Sequence, residues 1–242
     1  MTHTRPDYST KQKMATIYGE VNNAELAARI WSINTFDRRG HVVWMDDFEH
    51  GLEKWLSVGA GLGNTQTITA DRARNGDSSA KLVCGSTLVQ SAGLHKRMML
   101  PVASALGFEC SFSLQEDLDY ITLSLNSYDG TNLSSGQIMI DYTNNRIRYL
   151  NAAGGQTDLI TAITWNNLDD MFYTIKFVCD YTAIEYVRFI FGNTTVDMAG
   201  VGMSVAANAT YPRLDIFIDA IGDAAKNAEF YVDDVIITQN EP

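Results

Sequence analysis

From Val43 onward, apolar and polar residues alternate in short runs separated by turn residues. The alternation is clean from Tyr120 to Leu125, from Tyr173 to Phe177 and from Leu214 to Asp219. A period of two puts every second side chain on one face of a strand, so each run predicts an apolar and a polar face. Thr65 to Thr69 reads as another strand, and further ones are predicted near 79–83, 94–100, 106–114, 119–127, 136–142, 145–150, 171–179, 184–191, 211–219 and 228–238. Asn144-Asn145 predicts a two-residue hairpin turn, because asparagine tolerates positive φ. Many short strands, almost no helix and no βαβ alternation indicate a two-sheet all-β fold.

The first forty residues break this pattern. Residues 1–20 are polar and aperiodic, and read as an extended arm without a core of its own. Asn22 to Trp31 is the one helical stretch: Asn22 caps it and Glu25 returns a bond to the cap. Its apolar face of Leu26, Ile30 and Trp31 is too short to be stable alone and needs a surface to pack on. Phe36-Asp37-Arg38-Arg39-Gly40 then turns the chain into its first strand. The expected division is an arm with a short helix over 1–40 and one sandwich domain over 41–242.

Composition narrows the class of partner. The chain has 242 residues, 45% of them hydrophobic, enough for a single sandwich core. Its net charge of −11 argues against direct contact with nucleic acid. Six basic residues against four acidic ones give residues 1–40 a charge of +2, which leaves −13 on the remainder. A basic arm on an acidic body suits docking onto an acidic neighbour, another copy of the body included. Leu26, Ile30, Trp31, Arg38 and Arg39 are its candidate contacts. Cys84, Cys110 and Cys179 each lie in apolar runs and read as buried free thiols. No apolar run approaches membrane-spanning length, and the first residues lack the apolar core of a secretion signal. The expectation is therefore a protein made in a host cytoplasm, with no membrane partner.

Acids interrupt the strands at both ends of the body. Val43-Trp44-Met45-Asp46-Asp47-Phe48-Glu49-His50-Gly51 opens it, Asp71 to Leu82 follows, and Glu229-Phe230-Tyr231-Val232-Asp233-Asp234-Val235 closes it. Acids within apolar strands are costly unless they are paired, hydrogen-bonded or bound to a cation. The economical arrangement sets the first and last strands side by side with their acids sharing one site. Asp47 and Glu49, as alternate residues of a strand, would converge while Asp46 points away. These residues resemble the ends of the β-jelly-roll carbohydrate-binding modules, in which a DDFE-G-W opening, an A-R-x-G-x-x-S-x-K-L stretch and a closing DDV strand frame a calcium site. The resemblance implies an all-β, two-sheet antiparallel jelly-roll sandwich, here with an N-terminal extended arm and one short helix. It also implies a structural Ca2+ held by Asp47, Glu49, Asn75, Ser78, Asp233 and Asp234, clamping the chain ends together. The competing reading is that these acids accept hydrogen bonds from loop N–H groups or pair with Arg72 or Arg74.

Sugar binding needs exposed aromatics beside polar groups. Trp44, Trp55, Trp165, Tyr142, Tyr149, Tyr173 and Tyr186 are available, but none stands out as a platform, and core or interface aromatics are the commoner outcome. The E-x-D-x-x-E pattern of jelly-roll glycosidases is absent. Asp117, Asp119, Asp169, Asp170, Asp233 and Asp234 do not form a legible acid–base pair, so the sequence predicts no enzyme. Two functional classes follow. The first is a virion subunit, such as a bacteriophage capsid-decoration protein, assembling as a homo-oligomer through its arm. The second is a carbohydrate-binding or adhesive module that recognises a surface glycan.

Overall fold

The computed structural model describes residues 39–85, 90–115, 117–166, 168, 171–222 and 227–242. The expected arm, its helix, and Leu26, Ile30, Trp31 and Arg38 lie outside these residues, while Arg39 is described and exposed. Among the described residues there is no helix. The strands are β1 (His41–Asp46), β2 (Leu56–Ala60), β3 (Thr65–Thr69), β4 (Ser79–Val83), β5 (Ser91–Met98), β6 (Ala105–Leu114), β7 (Leu118–Tyr128) and β8 (Asn132–Asp141), followed by β9 (Arg146–Leu150), β10 (Gln156–Ile160), β11 (Tyr173–Asp180), β12 (Glu185–Phe191), β13 (Thr194–Gly202), β14 (Ser204–Ala207), β15 (Arg213–Gly222) and β16 (Glu229–Gln239).

They form two antiparallel sheets packed as a sandwich. The first runs β13-β12-β11-β6-β16-β4-β3, with β1 also on β16; the second runs β10-β9-β8-β7-β15-β5-β2, with β14 on β8. The alternating runs supply the core between them. Ile121, Leu123 and Leu125 of β7 and Leu214, Ile216 and Ile218 of β15 point inward, and meet Phe108, Phe112, Phe177 and Phe230 of the first sheet. Cys84, Cys110 and Cys179 are buried free thiols within this core.

β16 is the hinge of the first sheet. Its early half pairs with β4 through Phe230↔Leu82, and its later half pairs with β1 through Met45↔Ile236 and Asp46↔Val235, while β6 follows its other edge. One edge of a strand takes one neighbour at a time, so β4 must leave where β1 arrives. A bulge between Asp233 and Ile236 marks that point, with Asp234 at a φ of 49°.

Two local expectations need correction. The β8–β9 connection is a four-residue loop, Tyr142 to Asn145, bracketed by the Asp141↔Arg146 pair. Asn145 alone is left-handed (φ 54°), and its N–H closes the turn on the Tyr142 carbonyl at 3.1 Å. Asp47 and Glu49 do not continue β1, which ends at Asp46; Phe48 turns left-handed (φ 58°) and drives its ring into the core. Strand alternation therefore does not orient these two acids.

Candidate functional site

Acids from two parts of the chain and an amide from a third meet at the β16 bulge. Asp47, Glu49, Asn75 and Asp234 line one cavity of about 160 Å3 together with Met45 and Gly76. Within it Asn75 Nδ2 donates to Asp234 at 2.6 Å, and Arg74 approaches Asp234 at 3.8 Å. Asp233 and Ser78 are oriented otherwise. The Asp233 carboxylate accepts from the backbone N–H of Arg74 (2.8 Å) and of Asn75 (3.3 Å). Ser78 contributes its backbone N–H to Glu49 at 2.9 Å, beside that of Asp77 at 2.8 Å. Arg72 stacks over the Tyr231 ring and reaches Ser113 at 3.1 Å. Asp46, facing away, accepts from Trp55 Nε1 at 2.7 Å and Lys54 at 2.6 Å.

The pocket is electrostatically crowded. Burial, then the Asp234 charge, push the Asp233 carboxyl up to about 7 against the pull of the loop N–H groups. Burial also lifts Asp234 to about 6; the Asn75 bond and Arg74 oppose it, while Asp47 and Glu49 push the same way. Hard carboxylate and amide oxygens around a small cavity are the donor type that calcium takes. Asp47, Glu49, Asn75 and Asp234 thus fit such an ion chemically, although among the described residues no three acid, thiol or imidazole groups form a ready-made cage.

A second constellation was missed by sequence reasoning. In the second sheet, the residues between the core positions stand on the opposite, outer face. Pairing places them in rows across the strands. One row is Leu56–His95–Phe217–Ser124–Gln137; the next is Arg97–Asp215–Asn126–Ser135, and on the other side lies Val58–Gly93–Asp219–Thr122–Met139. At the usual strand spacing the first row spans about 19 Å. Gln156 of β10 extends it: its Nε2 donates to Gln137 Oε1 at 2.8 Å, and Gln137 Nε2 donates to Ser124 at 3.0 Å.

This face carries unusual polar stress. Of the buried side-chain polar atoms lacking a hydrogen bond among the described residues, His95 Nε2, Asn126 Oδ1, Gln156 Oε1 and Asp215 Oδ1 lie on it. Buried polar groups are normally bonded, so such a concentration marks a surface held for something other than stability. Phe217 stacks on His95 with ring centroids 4.1 Å apart. Asp215 is held by Arg213 at 2.9 Å, by Arg97 at 3.4 Å and by His95 at 3.5 Å. Burial keeps the His95 imidazole below its ordinary range; Asp215 opposes this and the two arginines reinforce it. Four positions along β15, Asp219 stands apart from that cluster, and burial alone raises its carboxyl to about 6. The hint in the sequence is the residue choice: Asn, Gln, Ser, His and Phe rather than the lysine and glutamate of a merely solvated strand.

No protein-family model matches the chain, and no curated protein matches it in sequence. Solved structures do match its fold. A conserved carbohydrate esterase from the Shiga toxin-encoding bacteriophage phi24B aligns with a TM-score of 0.58 and 13% identity, over 83% of this chain and 99% of that one. An endo-β-1,4-glucuronan lyase from the fungus Trichoderma reesei aligns at 0.54 and 11%, over 82% and 96%. A sialidase aligns at 0.51 and 10%, over 81% of this chain but 18% of the sialidase. The chain shares their jelly-roll-like β-sandwich fold, and at these identities the likeness shows the fold alone. It also overturns one expectation. All three neighbours are enzymes by name, and the esterase and the lyase are matched over nearly their whole length, so a missing glycosidase motif does not set this architecture apart from catalysis. The prediction of a non-enzyme is withdrawn.

Proposed function

We propose that this chain is a glycan-binding β-sandwich protein whose binding surface is the outer face of the second sheet. One observation carries the reading: buried polar atoms without a hydrogen bond among the described residues, such as Asn126 Oδ1 and Gln156 Oε1, gather on that face beside the stacked Phe217–His95 pair. A glycan offers what such a face lacks, namely hydroxyl groups that both donate and accept, on rings whose C–H surfaces pack on aromatic side chains. The row's length of about 19 Å suits an extended oligosaccharide lying across the strands. The names of the fold neighbours, a carbohydrate esterase and a glucuronan lyase, agree with this class of ligand. The virion role and self-association drew on the acidic body, the missing secretion signal and above all the arm, which lies outside the described residues, whereas the fold neighbours speak for the glycan reading.

Glycan-array screening followed by calorimetric titration tests the face. Phe217→Ala and Asn126→Ala are each expected to weaken binding by about tenfold, or 1.4 kcal/mol, with the fold intact. Binding indifferent to both substitutions would remove this face as the site.

Calcium belongs to the proposal as a structural ion. Asp47, Glu49 and Asp234 would hold it with Asn75, and the ion would neutralise acids that now repel one another across the cavity. Restoring calcium to chelator-treated protein should raise the melting temperature, as any ligand of the folded state alone does. Asp234→Asn should abolish that rise. An unchanged melting temperature in the native chain would retire the ion.

A further inference from the structure

A different cavity, of about 430 Å3, opens where the β8–β9 loop meets the segment after β10. Tyr142, Thr143, Asn145, Ile163, Thr164 and Trp165 line it. Its walls are braced. Asp119 of β7 accepts from the N–H groups of Tyr142 (3.0 Å) and Thr143 (3.2 Å) through its carbonyl, and from the Thr143 hydroxyl (3.1 Å) through its carboxylate. Ile163 N–H reaches the Asn145 carbonyl at 2.9 Å, tying the two segments together. Trp165 is wedged edge-on against Tyr173 and Phe191, with centroids 5.5 and 5.9 Å away, and tilts against Tyr142 at 6.3 Å. Three rings thus fix the indole, yet its Nε1 is buried with no hydrogen-bond partner among the described residues. A fixed donor left unmatched is costly, so the indole is held in place by its ring contacts and not by that group.

We propose that this cavity binds a single neutral pyranose ring, as a second glycan site separate from the sheet face. Two aromatic rings supply the wall on which a sugar's C–H face packs, and Thr143, Thr164 and Asn145 supply hydroxyl and amide groups for its edge. The volume is that of a small-ligand pocket. Among the described residues the six lining side chains are uncharged, so none of them neutralises an acidic sugar. The site rests on the glycan reading for its class of ligand, but its residues are not those of the sheet face, and the two can fail independently.

The test uses the indole N–H resonances of the chain's four tryptophans in a nitrogen–proton correlation spectrum. The Trp165 signal is identified by its loss in Trp165→Phe. Methyl glycosides of neutral hexoses are titrated in, with glucuronate in parallel. The Trp165 signal is expected to move saturably with at least one neutral glycoside and to stay in place with glucuronate. Thr164 is exposed, so Thr164→Tyr can fill the mouth without disturbing the core, and should weaken the response about tenfold or more. Phe217→Ala should leave it unchanged. A Trp165 signal that stays still across the panel overturns the proposal, as does a shift that survives Thr164→Tyr, one that vanishes in Phe217→Ala, or one that glucuronate produces equally.

Discussion

Replacing Glu241 by alanine is expected to destabilise the fold by about 3–5 kcal/mol, the cost of removing one partner from a buried charge network. Glu241 is 6% exposed and folds back over the outer face of the first sheet, where its N–H meets the Ala105 carbonyl at 3.0 Å. Its carboxylate takes Lys176 Nζ at 2.8 Å, the Thr238 hydroxyl at 2.5 Å and the Arg188 guanidinium. Lys176 is 1% exposed, and a second acid, Glu109, lies 4.0 Å off. Without Glu241 two buried cations keep their desolvation cost and lose a counter-charge in direct contact. Gly107 shows how tightly the arrangement is built: a Cβ there would stand 2.4 Å from Thr238 Oγ1 and 2.9 Å from Glu241 Oε1. Urea denaturation measures the effect. Glu241→Gln should lose less, because it keeps the shape and the Thr238 bond. A loss below about 1 kcal/mol for the alanine variant would mean that water already screens these charges.

How far the sequence reaches can be judged from particular residues. Alternation in Tyr120–Leu125 and Leu214–Asp219 placed β7 and β15 correctly, because their inward residues fill a core and must be apolar. β13 and β14 gave no such signal. They lie at the margins of their sheets, and most of their residues are exposed, so burial does not dictate their pattern. β2, Leu56–Ala60, gives no alternating signal for the same reason. The acids at the chain ends were legible because acids inside apolar strands demand an explanation, and β1 does lie beside β16. Asp47 and Glu49 do converge while Asp46 faces away, but through left-handed turns at Phe48 and Asp234 and not through strand alternation, and those turns were not legible. The outer face of the second sheet was out of reach. His95, Asn126, Gln137 and Phe217 become neighbours through the registers of four strands far apart in sequence, and no spacing rule encodes that.

Asp219→Asn is expected to stabilise the protein by about 2 kcal/mol at pH 7.5 while weakening glycan binding. Asp219 lies across Gly93 of β5: a Cβ on that glycine would fall 2.0 Å from Asp219 Oδ1, so the carboxylate occupies space that only a glycine leaves open. Its other cross-strand neighbour is Thr122, so neither partner is charged. Burial raises its carboxyl from an ordinary 3.8 to about 6. A folded-state value above the unfolded one means that the folded chain holds the proton more tightly. The protonated carboxyl's contribution is whole below about pH 4 and is lost as pH rises through about 6, leaving an ionised group in poor surroundings at neutral pH. Each pKa unit corresponds to about 1.4 kcal/mol, which gives about 3 kcal/mol, trimmed to about 2 by the solvent that still reaches the site. The asparagine variant should therefore gain most over the native chain near pH 7.5 and nothing near pH 4, as read from denaturation midpoints across that range. A carboxylate retained at such a cost on a face already rich in unmatched polar atoms is the trade of stability for function expected of a binding surface. An ionised Asp219 accepts hydrogen bonds from sugar hydroxyls, which an amide does less well. An asparagine variant that bound glycan as tightly as the native chain would leave the carboxylate a structural burden without a role in recognition.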